Sequence, residues 1–409
     1  MKKKLIIGGL ILLFLIIISG KKDNNTSENN GKENTIGSKP SVPSALAGTY
    51  KELESLLDEF NAHLDQESGK SPVGFIAELP TANGHRGEGL LQADSLPGNI
   101  YYLDRLKELG VEGVSVDMPY PVLSNSFKRS EEYWDFYKKL IAEVRKRNMK
   151  YFAKVGIVFS EAEFGPLQPN YSKITLSEYF AEKSAIAVRI SKELHPDYLM
   201  FLNEPASEMA ILKKPGLSED YYVQFINKTL AKIDRSKTLV GAGSGSWDSI
   251  SFVERFAKET SLDFIDIHVY PLATKQVDFL MQAEKMAQVA RENGKKVVIG
   301  EVWLYKAKPS ELNSDPIRPE IFARDTFSFW SPLDQKMLET MAKFASKNNI
   351  AYISPFWSKY FFAYLDYESN KNKSYGDLLQ AADVEAVKSI LAKKFSDTGL
   401  KYKELIKKY

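Results

Sequence analysis

Short apolar segments alternate along most of the chain with longer segments in which apolar residues recur every three or four positions. The short segments have the length and bulky side chains of buried strands, and they occupy residues 73–79, 111–117, 150–159, 199–202, 238–241, 264–268, 296–301 and 351–357. The longer segments have the spacing of amphipathic helices, as at Ile100, Leu103, Leu106 and Leu109. Strands that alternate with helices in this way predict an α/β protein, a (β/α)8 TIM barrel in a single domain. An open doubly wound sheet is the alternative.

Polar residues mark several of the predicted helix ends. Thr175 and Glu178 have the spacing of a capping box, in which the two side chains accept hydrogen bonds from each other's backbone N–H groups. Gly110 follows the last apolar residue of its segment, where a left-handed residue commonly ends a helix. These boundaries support the division into alternating strands and helices.

The first residues have the pattern of a targeting segment. Lysines at positions 2–4 precede an apolar run over 5–18, which is short for a membrane span and typical of a signal-peptide core. Ile18-Ser19-Gly20 resembles the residues before the lipidated cysteine of bacterial lipoproteins, although Lys21 stands in the place of that cysteine. Residues 1–22 are therefore predicted to be a signal peptide or membrane anchor. Residues 23–49 are predicted to be a flexible polar linker, and residues 50–409 the barrel domain.

This N-terminal pattern predicts where the protein acts. We expect an extracellular or cell-surface protein, membrane-tethered or secreted, that contacts a membrane only through its N-terminal segment. A cytoplasmic protein with an apolar N-terminus is the alternative. The 409-residue chain has no cysteine, which excludes disulfides and decides little else. Its net charge is +2, and five of its positive charges are lysines of the N-terminal segment. The rest of the chain is therefore slightly acidic, so no nucleic-acid partner is expected.

Carboxylates end two of the predicted strands. The fourth strand runs into Asn203, Glu204 and Pro205, and proline stops a strand because it lacks an N–H group. The seventh strand ends in Glu301. In a closed parallel barrel both ends lie at the same mouth, where catalytic groups are found. Two carboxylates that flank a sugar linkage are what glycoside hydrolysis requires.

The neighbours of the two glutamates resemble those of the retaining glycoside hydrolases of clan A. In that clan strand four ends in Asn-Glu, often followed by Pro, and strand six often ends in His-x-Tyr. Strand seven carries a glutamate, and strand eight commonly ends in Trp. This chain has, in the same order, Asn203-Glu204-Pro205, His268-Val269-Tyr270, Glu301 and Trp357. The resemblance covers the predicted barrel and is not specific to one family of the clan.

This resemblance implies roles for the matching residues. Glu204 would be the acid and base, Glu301 the nucleophile, and Asn203 a hydrogen-bond donor to the sugar. Tyr270 would orient Glu301, His268 would belong to the substrate-binding set, and Trp357 would stack under the sugar. The implied function is a retaining glycoside hydrolase that cleaves β-linked oligo- or polysaccharide without a cofactor.

Trp303 lies two residues beyond Glu301 and is a further candidate for substrate binding, although the barrel wall is an equally good place for its side chain. The early strands depart from family 5 of the clan, which usually has an arginine on an early strand and a histidine near the end of strand three. Here Asp117 ends strand two and Lys154 lies in strand three, so no family is assigned. Aromatic residues in the loops after strands seven and eight suit a glycan, or pack the loops.

Two other functions fit the same residues. A carbohydrate-binding barrel without turnover would keep the aromatic residues, but it has no need of both glutamates. A metal-dependent barrel hydrolase is the second, because Glu204, Asp266, His268 and Glu301 are all possible ligands. The first strand lacks the His-x-His pair that many such hydrolases carry, so we expect no metal.

Overall fold

The computed structural model describes residues 41–159, 165–271, 278–312 and 320–409. Eight parallel strands pair in chain order and close into a barrel, with β8 hydrogen-bonded to β1. The strands are β1 Gly74–Glu78, β2 Gly113–Asp117, β3 Lys150–Lys154, β4 Tyr198–Met200, β5 Leu239–Gly245, β6 Phe264–Val269, β7 Lys296–Val302 and β8 Tyr352–Pro355. The predicted TIM barrel is confirmed.

Helices follow the strands and form the outer layer. They are α1 Ser44–Gln66, α2 Ser95–Leu109, α3 Ser130–Lys146, α4 Leu176–Glu193, α5 Pro205–Leu212, α6 Glu219–Leu230, α7 Ile250–Glu259, α8 Phe279–Glu292, α9 Pro309–Leu312, α10 Glu320–Ala323, α11 Ser331–Lys347, α12 Tyr367–Asn370, α13 Tyr375–Leu391 and α14 Asp397–Lys408. The capping box of Thr175 and Glu178 opens α4, and Gly110 ends α2 with a φ of 97°. Among the described residues, no helix combines the length and apolarity that a membrane crossing requires.

Large side chains fill the inside of the barrel in its N-terminal half. They come from alternate strand positions and form one cluster of Ile76, Phe152, Tyr198, Met200, Phe264, Val298 and Tyr352. The rings of Phe152 and Tyr198 stack at 4.5 Å. Gly241 makes room for this layer, because a Cβ there would lie 2.3 Å from the ring of Phe264. This plug leaves the C-terminal half of the barrel for polar side chains.

The boundary between linker and domain was predicted too far along the chain. Helix α1 begins at Ser44, so the last residues of the predicted 23–49 linker are helical. The amphipathic face of α1 extends to this end: Thr49 is buried, and the ring of Tyr50 stacks on Trp330 at 5.7 Å. The predicted signal or anchor and the linker up to residue 40 lie outside the described residues.

Some strand ends also differ from the prediction. Strand β3 ends at Lys154 rather than Phe159, because its regular pairing stops there and the N–H of Gly156 donates to the side chain of Asp117 at 3.4 Å. Beyond this point Ile157 keeps an isolated bridge to Tyr120. Strand β5, in contrast, continues to Gly245. The extra length places the residues after β5 at the same mouth as Glu301.

Candidate active site

The two glutamates come together at the C-terminal end of the barrel. Glu301 lies near the end of β7, and Glu204 lies just before α5, in the connection from β4. One carboxylate oxygen of each, together with a ring nitrogen of His268, lies within 4.8 Å of the others. The side chains of Glu204 and Glu301 are 20% and 12% exposed, so both remain accessible from the mouth.

A bulge in β7 turns Glu301 into the barrel. Asp266 of β6 pairs with Val298, whereas His268 pairs with Glu301, so β7 contains one more residue than β6 over this stretch. Without the extra residue the inward position after Val298 would belong to Gly300. Bulges of this kind re-aim side chains next to active sites. The bulge therefore decides which residue of β7 faces the reaction.

Both oxygens of Glu301 have a hydrogen-bond donor. The Lys154 ammonium donates to Oε1 at 2.5 Å, and the Tyr270 hydroxyl donates to Oε2 at 2.9 Å. Burial alone would raise the pKa of Glu301, but the charges of His268 and Lys154 outweigh it and lower the pKa. Glu301 is consequently an ionised carboxylate held in one orientation, as a nucleophile requires.

His268 joins the two glutamates. Its Nδ1 lies 2.7 Å from Oε1 of Glu204 and 3.6 Å from Oε2 of Glu301, and its Nε2 lies 3.2 Å from Oδ2 of Asp266. Burial would lower the pKa of His268, yet Glu301 and Asp266 raise it well above its ordinary value. The ring is therefore an imidazolium whose Nδ1 donates to Glu204, while its Nε2 faces Asp266 as a charged contact rather than a hydrogen bond. It neutralises part of the charge of the carboxylates around it.

Asp266 owes its position to a glycine on the neighbouring strand. The backbone N–H of Gly300 donates to Oδ1 of Asp266 at 2.9 Å. A Cβ on residue 300 would lie 2.2 Å from that same oxygen. Asp266 is fully buried, so its carboxylate needs both this N–H and the charge of His268. The bulge, the glycine and the aspartate thus form one support for the histidine.

Glu78 of β1 and Lys154 of β3 form a buried ion pair inside the barrel, next to Glu301. Lys154, which also contacts Glu301, lies 2.7 Å from Oε2 of Glu78, and both side chains have no exposed surface. The Ser115 hydroxyl donates to the same oxygen of Glu78 at 2.7 Å. Glu78 and Lys154 were not among the site residues predicted from the sequence. Strand alternation gives the missing signal, because it places them on the same inward face as Ile76 and Phe152.

Polar groups also line the mouth above the first three strands. The N–H of Phe159 donates to His85 Nε2 at 3.3 Å, so the ring proton is on Nδ1. That nitrogen lies 2.8 Å from Asn83 and 3.5 Å from Asp117. Burial would raise the pKa of Asp117, but the hydrogen bond from His85 and the charge of Lys154 lower it. This side of the mouth is hydrophilic and carries an ionised carboxylate.

Aromatic side chains cover the opposite side of the mouth. The half-buried rings of Trp247, Tyr305, Phe356 and Trp357 pack around Tyr270 and other buried aromatic residues. Tyr305 stacks on Tyr270 at 5.1 Å, and Trp357 packs edge to face on Phe356 at 4.8 Å. Apolar ring faces suit the C–H faces of a sugar. Further along these loops, Phe327, Phe329, Trp330, Phe361 and Phe362 are buried and pack the loops.

The remaining candidates from the sequence occupy different surroundings. Asn203 is nearly buried beside Glu204, and among the described residues its Oδ1 has no hydrogen-bond partner. Trp303 is 2% exposed, and its indole N–H donates to Asp325 at 2.9 Å. Of its two predicted positions, Trp303 thus takes the barrel wall. Of the residues predicted from the sequence, four lie together in the site: Glu204, His268, Tyr270 and Glu301. Asn203 is next to Glu204 in the chain, and Trp357 lies among the aromatic side chains of the mouth.

The charges of Lys154 and His268 make the site a poor place for a metal ion. Glu204, His268 and Glu301 are close enough together for one ion. However, the Lys154 ammonium already lies 2.5 Å from Glu301, and a second cation there would be repelled. An imidazolium has no lone pair for a metal, and the pKa of His268 is raised well above its ordinary value. The residues fit proton transfer and nucleophilic attack.

The sequence matches no protein-family model, and no curated protein matches it. Solved structures do match. A GH5_18 protein from Bifidobacterium longum subsp. longum, in complex with Manβ1-4GlcNAc, aligns with a TM-score of 0.53 and 14% identity over 83% of this chain and 78% of that chain. An exo-β-1,4-mannosidase from an Opitutaceae bacterium aligns with a TM-score of 0.54 and 12% identity over 83% of this chain and 60% of that one. At such identities the likeness establishes a shared barrel fold.

Proposed function

We propose that this protein is a retaining glycoside hydrolase that cleaves a β-linked glycan by double displacement. Glu301 is the nucleophile, and Glu204 is the general acid and base. The main support is that one oxygen of Glu204 lies within 4.8 Å of one oxygen of Glu301, while the surroundings of the two carboxylates differ. Carboxyl groups about 5–5.5 Å apart are typical of retaining enzymes, whereas inverting enzymes need roughly 6.5–9.5 Å to admit a water.

The difference in surroundings assigns the two roles. Glu301 is kept ionised by Lys154 and His268 and is oriented by Tyr270, so it attacks the anomeric carbon. Glu204 is more exposed and contacts the imidazolium of His268 at 2.7 Å. It protonates the glycosidic oxygen as that bond breaks, and then deprotonates the water that hydrolyses the glycosyl-enzyme.

His268 supports both steps through its charge. In the first step Glu301 loses its negative charge as it forms an ester, and in the second step that charge returns. An imidazolium between Glu204 and Glu301 stabilises whichever carboxylate is ionised at the time. Asp266 keeps the ring charged and fixed.

The substrate is proposed to be a β-linked oligo- or polysaccharide. The aromatic side of the mouth suits sugar rings, and the polar side with Asn83, His85 and Asp117 suits their hydroxyl groups. β-Mannosides are the first substrates to test. The Bifidobacterium protein is in complex with a β-linked mannosyl disaccharide, and the Opitutaceae protein is a β-mannosidase.

The proposed place of action is the cell surface or the medium. This proposal is supported by the basic and apolar pattern of residues 1–22. Fractionation of cells that express the full chain tests it. Recovery in the membrane or medium fraction is expected, and recovery in the cytosol with the N-terminus intact would contradict it.

The stereochemistry of the first product tests the proposed mechanism. A panel of aryl β-glycosides identifies the best substrate, and proton NMR then records the anomer released before mutarotation. Retention is expected. Inversion would refute the double displacement, and binding without hydrolysis across the panel would favour the carbohydrate-binding barrel. A loss of activity in EDTA that zinc restores would favour the metal-dependent hydrolase.

A further inference from the structure

We propose that Lys154 is a positioning residue that sets the charge and orientation of Glu301, and that Glu78 limits how strongly it does so. This inference rests on the proposed function, because it concerns the reactivity of the nucleophile. Lys154 ends β3, Glu78 ends β1, and Glu301 lies on β7, so the three strands meet at one ammonium group.

The ammonium of Lys154 is shared between two carboxylates. It lies 2.5 Å from Oε1 of Glu301 and 2.7 Å from Oε2 of Glu78. The ring of Phe356 lies over the nitrogen, with its centroid 5.6 Å away. If the buried ammonium contacted Glu301 alone, it would attract the lone-pair electrons of the Glu301 carboxylate strongly. Glu301 would then be a weaker nucleophile. With Glu78 as a second partner, the charge keeps Glu301 ionised without neutralising it fully.

Other charged and polar groups around Lys154 and Glu301 also affect the pKa values of the two side chains. Asp117 of β2 faces Lys154 and also contributes to its electrostatic surroundings. His268 and Tyr270 of β6 face Glu301. Burial would lower the pKa of Lys154, but Glu301 and Glu78 raise it, so the ammonium stays charged. Burial raises the pKa of Glu78, although Lys154 opposes this.

Glu78 has its own support, which indicates a fixed position. Its Oε2 accepts from Ser115, and Ser115 lies 3.0 Å from Ser354 of β8. Its Oε1 has no hydrogen-bond partner among the described residues. A carboxylate that only stabilised the barrel would gain from a second donor on this oxygen. The arrangement instead directs Oε2 of Glu78 at Lys154.

Opposite changes on the two partners test the proposal. In protein carrying carbon-13 in the glutamate carboxyl groups, the Glu301 signal is assigned by its loss in Glu301→Gln, and its titration midpoint is measured. Lys154→Met should raise this midpoint by roughly 1–2 pH units, because the nearest cation is lost. Glu78→Leu should lower it, because Lys154 then has no second acceptor and serves Glu301 alone. Glu78→Gln should stay near the wild-type value, because burial raises the pKa of Glu78 to about 7 and its carboxyl is already neutral at the pH where Glu301 titrates. Lys154→Arg should keep most of the wild-type value.

A double variant separates positioning from folding. Lys154→Met leaves Glu78 without its cation, whereas Lys154→Met combined with Glu78→Gln leaves no unpaired charge at residue 78. The double variant should therefore regain stability while the Glu301 midpoint stays raised. The matched control is Lys183→Met with Glu208→Gln, a second fully buried lysine–glutamate pair. It should lose stability and leave the midpoint unchanged.

Activity gives the second measurement. With the best aryl β-glycoside, the acid limb of kcat/KM should shift with the Glu301 midpoint in each variant. A midpoint that stays at the wild-type value in Lys154→Met, or that fails to fall in Glu78→Leu, would overturn the proposal. So would a return to the wild-type midpoint in the double variant. Failure of the wild type to hydrolyse any glycoside would refute the proposed function, and the NMR titration would still decide the role of Lys154.

Discussion

At the scale of single residues, the site is defined by which charges face each other. The pKa of Glu301 is lowered because the positive charges of His268 and Lys154 outweigh the effect of its burial. The pKa of His268 is raised because the negative charges of Glu301 and Asp266 outweigh the effect of burial on the histidine. The sequence predicted Glu204 and Glu301 because each follows a buried apolar strand. It did not predict Lys154 and Glu78: alternation with Phe152 and Ile76 marks them as facing inward, but only the register of the barrel shows that they meet each other and Glu301.

The alkaline limb of activity should depend on Asp266. The Asp266→Asn variant keeps an acceptor for the N–H of Gly300 but loses the charge that helps to raise the pKa of His268. His268 should then lose its proton at a lower pH, so the alkaline limb of kcat/KM should move to lower pH. A pH profile of folded variant and wild type measures this. An unchanged alkaline limb would show that the charge of Asp266 does not control the histidine.

Protonation of His268 also links stability to pH. A group with a raised pKa in the folded state stabilises the fold at pH values below its ordinary pKa, and this contribution is lost as the pH rises through the folded-state value. Wild-type stability should therefore fall at alkaline pH by more than that of a His268→Asn variant. Urea unfolding at several pH values tests this, and equal slopes for both proteins would contradict it.

At the scale of elements, the bulge of β7 is the feature on which the site depends. The prediction of a strand over 296–301 was close, but regular alternation does not reveal an added residue. The pairing of β7 with its two neighbours shows it, as where His268 pairs with Glu301. Trp303 follows from the same geometry: beyond the bulge its side chain enters the wall, where Asp325 accepts its N–H. These outcomes depend on the partner strand, so sequence alone could not supply them.

Replacement of Gly300 by alanine should damage the site. The added Cβ would lie 2.2 Å from Oδ1 of Asp266, so the strand or the aspartate must shift. We expect a loss of about 1–3 kcal/mol in stability and a large loss of kcat. Gly376→Ala is the matched control, because a Cβ there meets nothing within 4 Å. Urea unfolding and steady-state kinetics on both variants measure the difference, and equal behaviour would remove the bulge from the account.

At the scale of the whole molecule, the barrel and its outer helices act as one unit that begins with α1. Eight alternating units were visible in the sequence because buried parallel strands and amphipathic helices differ strongly in period. The start of α1 was less visible, since most of its first residues, Ser44 to Thr49, are small and show no large apolar side chains at helical spacing. Its buried face includes Leu53, Leu57, Phe60 and Leu64, which join the main core.

Two truncations test this boundary. A chain that starts at residue 41 should keep the stability and activity of the longer protein, because α1 remains whole. A chain that starts at residue 68 exposes the surface that α1 covers and should lose several kcal/mol, at roughly 1.5–3 kcal/mol for each large apolar side chain. Thermal unfolding compares the two. Equal stability would show that α1 is not part of the folded unit.

The central claim is that Glu301 forms a covalent bond to the sugar. A fluorinated, activated β-glycoside that forms a slowly hydrolysed glycosyl-enzyme tests it most directly, with mass spectrometry of the digested protein to locate the label. One label per chain is expected, on the peptide that contains Glu301, with no label in a Glu301→Gln variant. A Glu204→Ala variant should still be labelled, because a good leaving group needs little protonation. A label on Glu204 or on any other residue would show that Glu301 is not the nucleophile.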